Sequence, residues 1–363
     1  MSSPNPPNGS LPNDLILQIL ARLPIKSLFR FKSVCKSWSN LPSDAHFIRL
    51  HYQASSKDPN LLIEILDPTI PSSNFISIDG FFNVSRFSLD FLNDRVKIRA
   101  ASNGILCCAS VRNKGIYYVC NPMTRELRLL PRTRERPFTR FQPEYEATIA
   151  ALAFDPLSYR FVVFLAGFYR PFGRWPHDEF VCLVFDSATN SWNKFVSYIH
   201  EEFTHMNRNQ VVFFNGALHW LTYSCSYVLA LDLGDWVWRK ISMPEEVVAS
   251  EFAGRIYLLE LEGLVSVVRI SGDWMSTWVL KDYSRQQWVL EDRVHLRCIR
   301  GFATSAFPVS QSRDVVFLAT QKKVLMYSRR DKVWREIYAV EDNCTYPLWF
   351  SAHSFRNTLF PCH

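Results

Sequence analysis

From Leu11 onward apolar side chains recur at helical spacing: Leu15, Ile16, Ile19, Leu20 and Leu23 fall on one face. Pro24 is expected to stop that helix, with Ile25-Lys-Ser27 opening a second. On it Leu28, Phe31, Val34, Cys35 and Trp38 continue at three- and four-residue steps, up to the break at Asn40-Leu-Pro42. Ser43 or Asp44 can cap a third short helix that carries Phe47 and Leu50. The pattern predicts a small all-α, three-helix unit over 11–52. A leader without apolar anchors (1–10) is expected to be disordered, and a polar linker (53–60) follows the helices.

Beyond residue 60 the period changes from 3.6 to 2. Short apolar runs such as Leu61–Leu66, Ile105–Cys108, Phe161–Ala166, Val181–Asp186, Tyr227–Leu233, Val265–Ile270 and Val324–Ser328 are separated by turn chemistry, including Asn103-Gly104, Asn121-Pro122 and Asn215-Gly216. The segment 61–363 is predicted to be all-β. It also repeats. A strand ends in Asn121, Asp186, Asp232, Asp282 or Ser328, and six residues on stands Leu127, Trp192, Trp238, Trp288 or Trp334. The steps between the latter are 65, 46, 50 and 46 residues. A period near 46–50 with about four strands per unit points to a β-propeller of six or seven blades. The competing arrangement is a sandwich of unrelated hairpins. The longer step holds the Arg/Pro-rich stretch 131–146, expected to be an inserted loop.

Composition narrows the class. The chain of 363 residues is 48% hydrophobic and 21% charged, ordinary for a globular protein; its 15% aromatic content suits pleated surfaces. The longest apolar runs, near Ala147–Phe154 and Phe161–Phe168, reach eight residues, too short to cross a membrane as helices. Nine scattered cysteines without C-x-x-C spacing argue against a disulfide framework or a zinc site, and the first ten residues carry no secretory signal. The expectation is a soluble, intracellular protein, cytoplasmic or nuclear, without cofactor or metal. The net charge of +7 is localised: residues 1–57 hold seven Lys/Arg against two Asp, and residues 125–140 hold six Arg against two Glu.

The helical head has more apolar side chains than three short helices can hide. Each Leu, Ile or Phe left exposed forgoes about 1.5–3 kcal/mol. The polar linker argues against tight docking on the β body, so a partner is expected. The residues themselves resemble a known module. Leu11-Pro-Asn-Asp-Leu15, Ile19-Leu-Ala-Arg-Leu-Pro24, Lys26-Ser-Leu-Phe-Arg-Phe31 and Val34-Cys-Lys-Ser-Trp38 closely resemble the plant F-box, with Gln18 where Glu is usual. Asn103-Gly-Ile-Leu-Cys107 and Cys120–Pro131 are similar to the opening motifs of the plant F-box-associated, kelch-like domain. The resemblance implies a substrate receptor of an SCF-type (Skp–cullin–F-box) ubiquitin ligase, non-catalytic itself. Its F-box would bind an acidic Skp-type adaptor and through it cullin and RING subunits. The matched adaptor-binding positions are Leu11, Pro12, Leu15, Ile19, Leu20, Leu23, Pro24, Leu28, Val34, Cys35 and Trp38. Which of these face the adaptor and which form the head's own core stays open.

Catalytic signals are absent or poorly spaced. No G-x-S-x-G, G-x-G-x-x-G or P-loop occurs, and His200-Glu-Glu-Phe-Thr-His205 places its histidines five apart, about 140° around a helix, where they cannot share a metal. Two loops are candidate substrate contacts: the basic segment led by Arg125 and Arg128, with Arg132, Arg134 and Arg136, and the segment Phe168–His177, with Tyr169, Arg170, Arg174 and Trp175. The alternative functions are a nucleic-acid or phospho-ligand module using Arg125–Arg140, and an F-box protein acting outside a ligase.

Overall fold

The computed structural model describes residues 11–55, 59–65, 74–79, 83–133, 149–168, 180–197, 211–222, 225–248, 255–303, 305–340, 348 and 352–362. The head holds helices α1 (Asn13–Ala21), α2 (Ile25–Phe31), α3 (Lys36–Asn40) and α4 (Ala45–Ala54). The second expected helical stretch is divided, because Cys35 is fully extended (φ −158°, ψ 164°). The two Leu-Pro pairs act alike. Pro12 and Pro24 adopt nearly the same non-helical backbone just before α1 and α2, and each carbonyl accepts the first amides of its helix: Leu15 and Ile16 for Pro12, Ser27 and Leu28 for Pro24. Pro24 thus starts a helix more than it ends one. Asp44 caps α4 by accepting from the Phe47 N–H at 2.7 Å.

The body is a six-bladed propeller built from six antiparallel four-stranded sheets. Blade 1 holds β1 (Asn60–Ile65), β2 (Asn74–Ile78) and β3 (Val84–Phe87), and blade 2 holds β4 (Val96–Ser102), β5 (Ile105–Ser110), β6 (Tyr117–Asn121) and β7 (Glu126–Leu129). Blade 3 holds β8 (Ile149–Phe154), β9 (Phe161–Phe168), β10 (Phe180–Asp186) and β11 (Ser191–Ser197); blade 4 holds β12 (Val211–Phe214), β13 (Ala217–Leu221), β14 (Tyr227–Asp232) and β15 (Trp238–Ser242). A single turn of helix, α5 (Glu245–Val248), leads to blade 5, made of β16 (Arg255–Leu261), β17 (Leu264–Ser271), β18 (Trp274–Asp282) and β19 (Gln287–His295). A second short helix, α6 (Arg300–Ala303), precedes blade 6, with β20 (Phe307–Gln311), β21 (Val315–Ala319), β22 (Lys323–Ser328) and β23 (Val333–Ala339). The ring closes when β24 (Ala352–Phe355) returns to pair with β1.

The sequence repeat is the turn between the third and fourth strands of blades 2 to 6. Its first polar residue caps the turn: Asn121 accepts from Met123 N, Asp186 from Ala188 N, Asp232 from Gly234 N, Asp282 from Arg285 N and Ser328 from Asp331 N. Four residues later the backbone turns left-handed at Arg125, Asn190, Trp236, Gln286 and Lys332. Two residues further the outer strand opens with the aromatic or leucine. Three of these tryptophans tie their blade to the previous one: Trp192 Nε1 donates to Pro131 O, Trp288 Nε1 to Ser242 O and Trp334 Nε1 to His295 O. Each seam between neighbouring blades is filled by its own apolar cluster, for example Phe164, Phe180 and Trp220 between blades 3 and 4.

The seam between blades 2 and 3 also receives the head. Leu20, Ala21, Ile25, Leu28, Phe47 and Ile48 join Ile105, Val119, Phe154 and Phe161 in one buried cluster, together with Leu359, Phe360 and Cys362. The expectation that the polar linker keeps the head undocked is therefore corrected. Docking runs through α4 and through chain that follows β24, which no local pattern around residues 53–60 reveals.

Candidate functional site

Burial divides the eleven candidate adaptor contacts. Leu20 and Leu28 are core residues, each 3% exposed. Leu23 and Trp38 are half-buried and pack against the shared cluster, with the Trp38 ring 5.9 Å from that of Phe31. Leu11, Pro12, Leu15, Ile19, Pro24, Val34 and Cys35 are exposed. Leu15 and Ile19 lie on one side of α1 a four-residue step apart, Leu11 stands just before that helix, and with Val34 they leave 45–59% of their surfaces open to water. Covering the open parts of four such side chains would contribute on the order of 1 kcal/mol each. Cys35 lies at the start of α3, its Sγ 3.1 Å from Ser37 Oγ; that hydrogen bond and the Trp38 amide draw its thiol below the usual value.

The opposite side of the head is sealed by residues that follow β24. The Arg356 guanidinium lies 4.2 Å from the Tyr52 ring centroid and donates to Tyr52 O at 2.6 Å and Ser55 Oγ at 3.0 Å. Tyr52 Oη donates to Asn103 Oδ1 at 2.8 Å, and Asn103 Nδ2 donates to Phe154 O. Thr358 Oγ1 donates to Asn103 O, while Asn121 Nδ2 donates to both Thr358 O and Phe360 O at 3.0 and 2.8 Å. Asn103 and Asn121, the asparagines of the two downstream motifs, thus hold the segment 356–362 beneath α4. Gly104 fits the same purpose. Its φ is +82°, and a Cβ there would strike Thr358 Oγ1 and the carbonyl of Arg356.

A cavity of about 650 Å³ is lined by residues of all six innermost strands, with Tyr52 and Arg356 also lining it. Glu260 opens onto it. Its enclosure pushes the carboxyl up, against the pull of the Gly263 amide and Arg356. His353, on β24 and also lining the cavity, is drawn down to about 4, by burial first and then by Arg99 and Lys97. Among the described residues no three His, Cys, Asp or Glu side chains gather as a metal set requires.

Of the loop candidates, Arg132 is exposed just beyond β7. Arg134, Arg136, Tyr169, Arg170, Arg174 and Trp175 lie outside the described residues, as do His200 and His205. The strand registers still show where both segments are anchored. The end of β7, the start of β8, the end of β9 and the start of β10 all lie at the end of the ring away from α4. Arg125 and Arg128, expected to lead the basic loop, are engaged within the ring instead. Arg128 stacks on Phe161 and Phe185 and donates to Asn190 Oδ1 at 2.9 Å, and Arg125 lies over Phe91.

A helical head with one sealed and one open apolar side, fixed to a closed six-bladed ring, defines a two-faced binding scaffold. Comparison with known proteins gives the family. The F-box domain matches residues 9–50, and the F-box associated beta propeller domain matches residues 49–337. F-box protein At5g49610 of Arabidopsis thaliana is 52% identical over 361 residues, 99% of each chain. The putative F-box protein At1g33530 and the putative F-box/kelch-repeat protein At1g12870, from the same plant, are 27% and 28% identical; the matches cover 77% and 66% of this chain and 61% and 60% of theirs. The chain belongs to the F-box proteins that carry an F-box-associated β-propeller. Members of this family serve in general as non-catalytic substrate receptors of SCF ubiquitin ligases. Among the described residues no helix is long and apolar enough to cross a membrane.

Proposed function

We propose that this chain is the substrate-recognition subunit of an SCF-type ubiquitin ligase, working in the cytoplasm or nucleus. The exposed set Leu11, Pro12, Leu15, Ile19, Pro24, Val34 and Cys35 docks a Skp-type adaptor, which links the chain to cullin and RING subunits. The propeller end away from α4 holds the target protein. One observation carries the reading: Leu11, Leu15, Ile19 and Val34 stay open to water while Leu20, Ala21, Ile25, Leu28, Phe47 and Ile48 of the same small head are sealed against the ring. An acidic adaptor also suits the excess of Lys/Arg over Asp in residues 1–57. Co-expression with a Skp-type adaptor tests it. The native chain should co-purify with the adaptor and Leu15→Asp should not, with unchanged thermal unfolding because Leu15 is not a core residue. Equal recovery of adaptor by both chains would remove the proposal.

A further inference from the structure

Three of the repeat tryptophans, Trp192, Trp288 and Trp334, are fixed by bonds between blades. Trp274 is not one of the repeat positions. It opens β18 directly after a turn at Gly272 (φ 56°) and keeps 39% of its surface exposed. It pairs with His295 at the far end of β19, the two rings 4.5 Å apart and nearly perpendicular. The Arg293 guanidinium stands 4.5 Å from the Trp274 centroid. Beside the pair, Asp273 grips Arg300 through two bonds of 3.1 and 2.7 Å, and its carbonyl accepts from the Leu296 amide. That carboxyl is held low by Arg300 first, with His295 and Arg297 adding to the pull, so all three lie within electrostatic reach of it. Arg293, Arg297 and Arg300 are exposed, and Arg297 and Arg300 act on the Asp273 carboxylate.

We propose that Trp274 with Arg293, Arg297 and Arg300 forms a contact site for an acidic peptide segment of the target protein. The proposal rests on the receptor reading above and names the chemistry of the target at one place on the ring. Position supports it: the start of β18 and the end of β19 lie at the end of the propeller away from α4, clear of the adaptor side. Composition supports it too, since an exposed Trp backed by arginines is the pairing that concentrates binding energy in protein interfaces. The excess of arginine over carboxylate selects an acidic occupant. A nucleic acid fits less well. It needs a continuous basic track, whereas these arginines are confined to residues 293–300, at the end of β19 and the short turns after it.

The test uses the full chain and three fluorescent probes of equal length: a Glu-rich peptide containing one Phe, the same peptide with Gln for Glu, and a single-stranded oligo-dT. The Glu peptide should bind, more tightly than the other two, and Trp274→Ala or the double variant Arg293→Gln/Arg297→Gln should weaken it by roughly tenfold. All four changed or neighbouring side chains are exposed or half-exposed, so thermal unfolding should stay near that of the native chain. Adaptor co-purification is read on the same samples. Loss of adaptor binding by the native chain would strike the receptor reading alone. Equal affinity of native and variant chains for the Glu peptide, or stronger binding of oligo-dT, would overturn the site.

Discussion

Phe360 is the side chain through which the head, the ring and the chain beyond β24 meet, so its truncation probes the docking directly. It is fully buried, with its ring centroid 4.8 Å from Tyr52 on α4, 5.1 Å from Phe154 on β8 and 5.7 Å from Tyr159. Its carbonyl is held by Asn121 at 2.8 Å, which limits how far the segment can collapse into the space left behind. Phe360→Ala should therefore fall in the range of buried Phe-to-Ala changes, about 3–5 kcal/mol. That loss is roughly two to four powers of ten in the folded-to-unfolded ratio. Urea unfolding followed by tryptophan fluorescence would show the transition at a lower midpoint. Limited proteolysis would show faster cleavage within residues 53–60, because Arg356 and Thr358 lose the support that positions them against Tyr52, Ser55 and Asn103. A variant with the native midpoint and the native cleavage rate would refute the argument that this segment holds the head.

Further outcomes follow from single positions. Gly104→Ala combines a left-handed backbone with a Cβ aimed at Thr358 and the Arg356 carbonyl, so it should cost at least about 1–3 kcal/mol in unfolding measurements; Gly216→Ala shares the backbone penalty but meets nothing nearby, and should cost clearly less. His219, fully buried between Val212 O and Tyr283 Oη, has its imidazole drawn down to about 4 by burial. The unfolded chain takes up that proton near pH 6.5 and the folded chain only near 4, so stability is full above 6.5 and declines as pH falls towards 4. His51 and His353 are lowered in the same direction. His219→Asn should consequently leave a slope shallower by about one proton, and parallel slopes in a pH series of unfolding curves would contradict the assignment. Trp288→Phe keeps an aromatic side chain but loses the indole N–H, its 2.8 Å bond to Ser242 O across the seam of blades 4 and 5 and part of the packing there; at least about 1 kcal/mol of stability should be lost.

Much of the fold is legible in the chain because propeller turns repeat their chemistry. The spacing from Asp186 to Trp192, or Ser328 to Trp334, marks a capped turn, a left-handed residue and a seam tryptophan, each of which demands a particular residue type. Blade 1 breaks the rule. Its turn caps Asn83 through Asp79, but Ser85 stands six residues on, so no tryptophan announces that blade. Outer strands were equally hard to see. In β19 only Val294 is fully buried, because an outermost strand has a neighbour on one edge alone and shows no alternation. The head's helices were legible from period and capping residues. The split between Ile19 and Leu20 was not, since both belong to one apolar stripe and only the docked ring decides which is covered. The hold on the head was hidden for another reason. Asn103 and Asn121 read as turn formers, and their decisive partners, Thr358 and Phe360, lie more than two hundred residues away.

The central claim is that the open side of the head is an adaptor-docking surface while its sealed side belongs to the ring. The most direct measurement is a calorimetric titration of a purified Skp-type adaptor into the full chain and into Ile19→Asp, with Arg300→Ala as a control at the far end of the propeller. The account expects one-to-one binding by the native chain and by Arg300→Ala, and at least a tenfold loss for Ile19→Asp, whose side chain is 51% exposed and free of the core. Native affinity in Ile19→Asp, or no binding by the native chain, would contradict it.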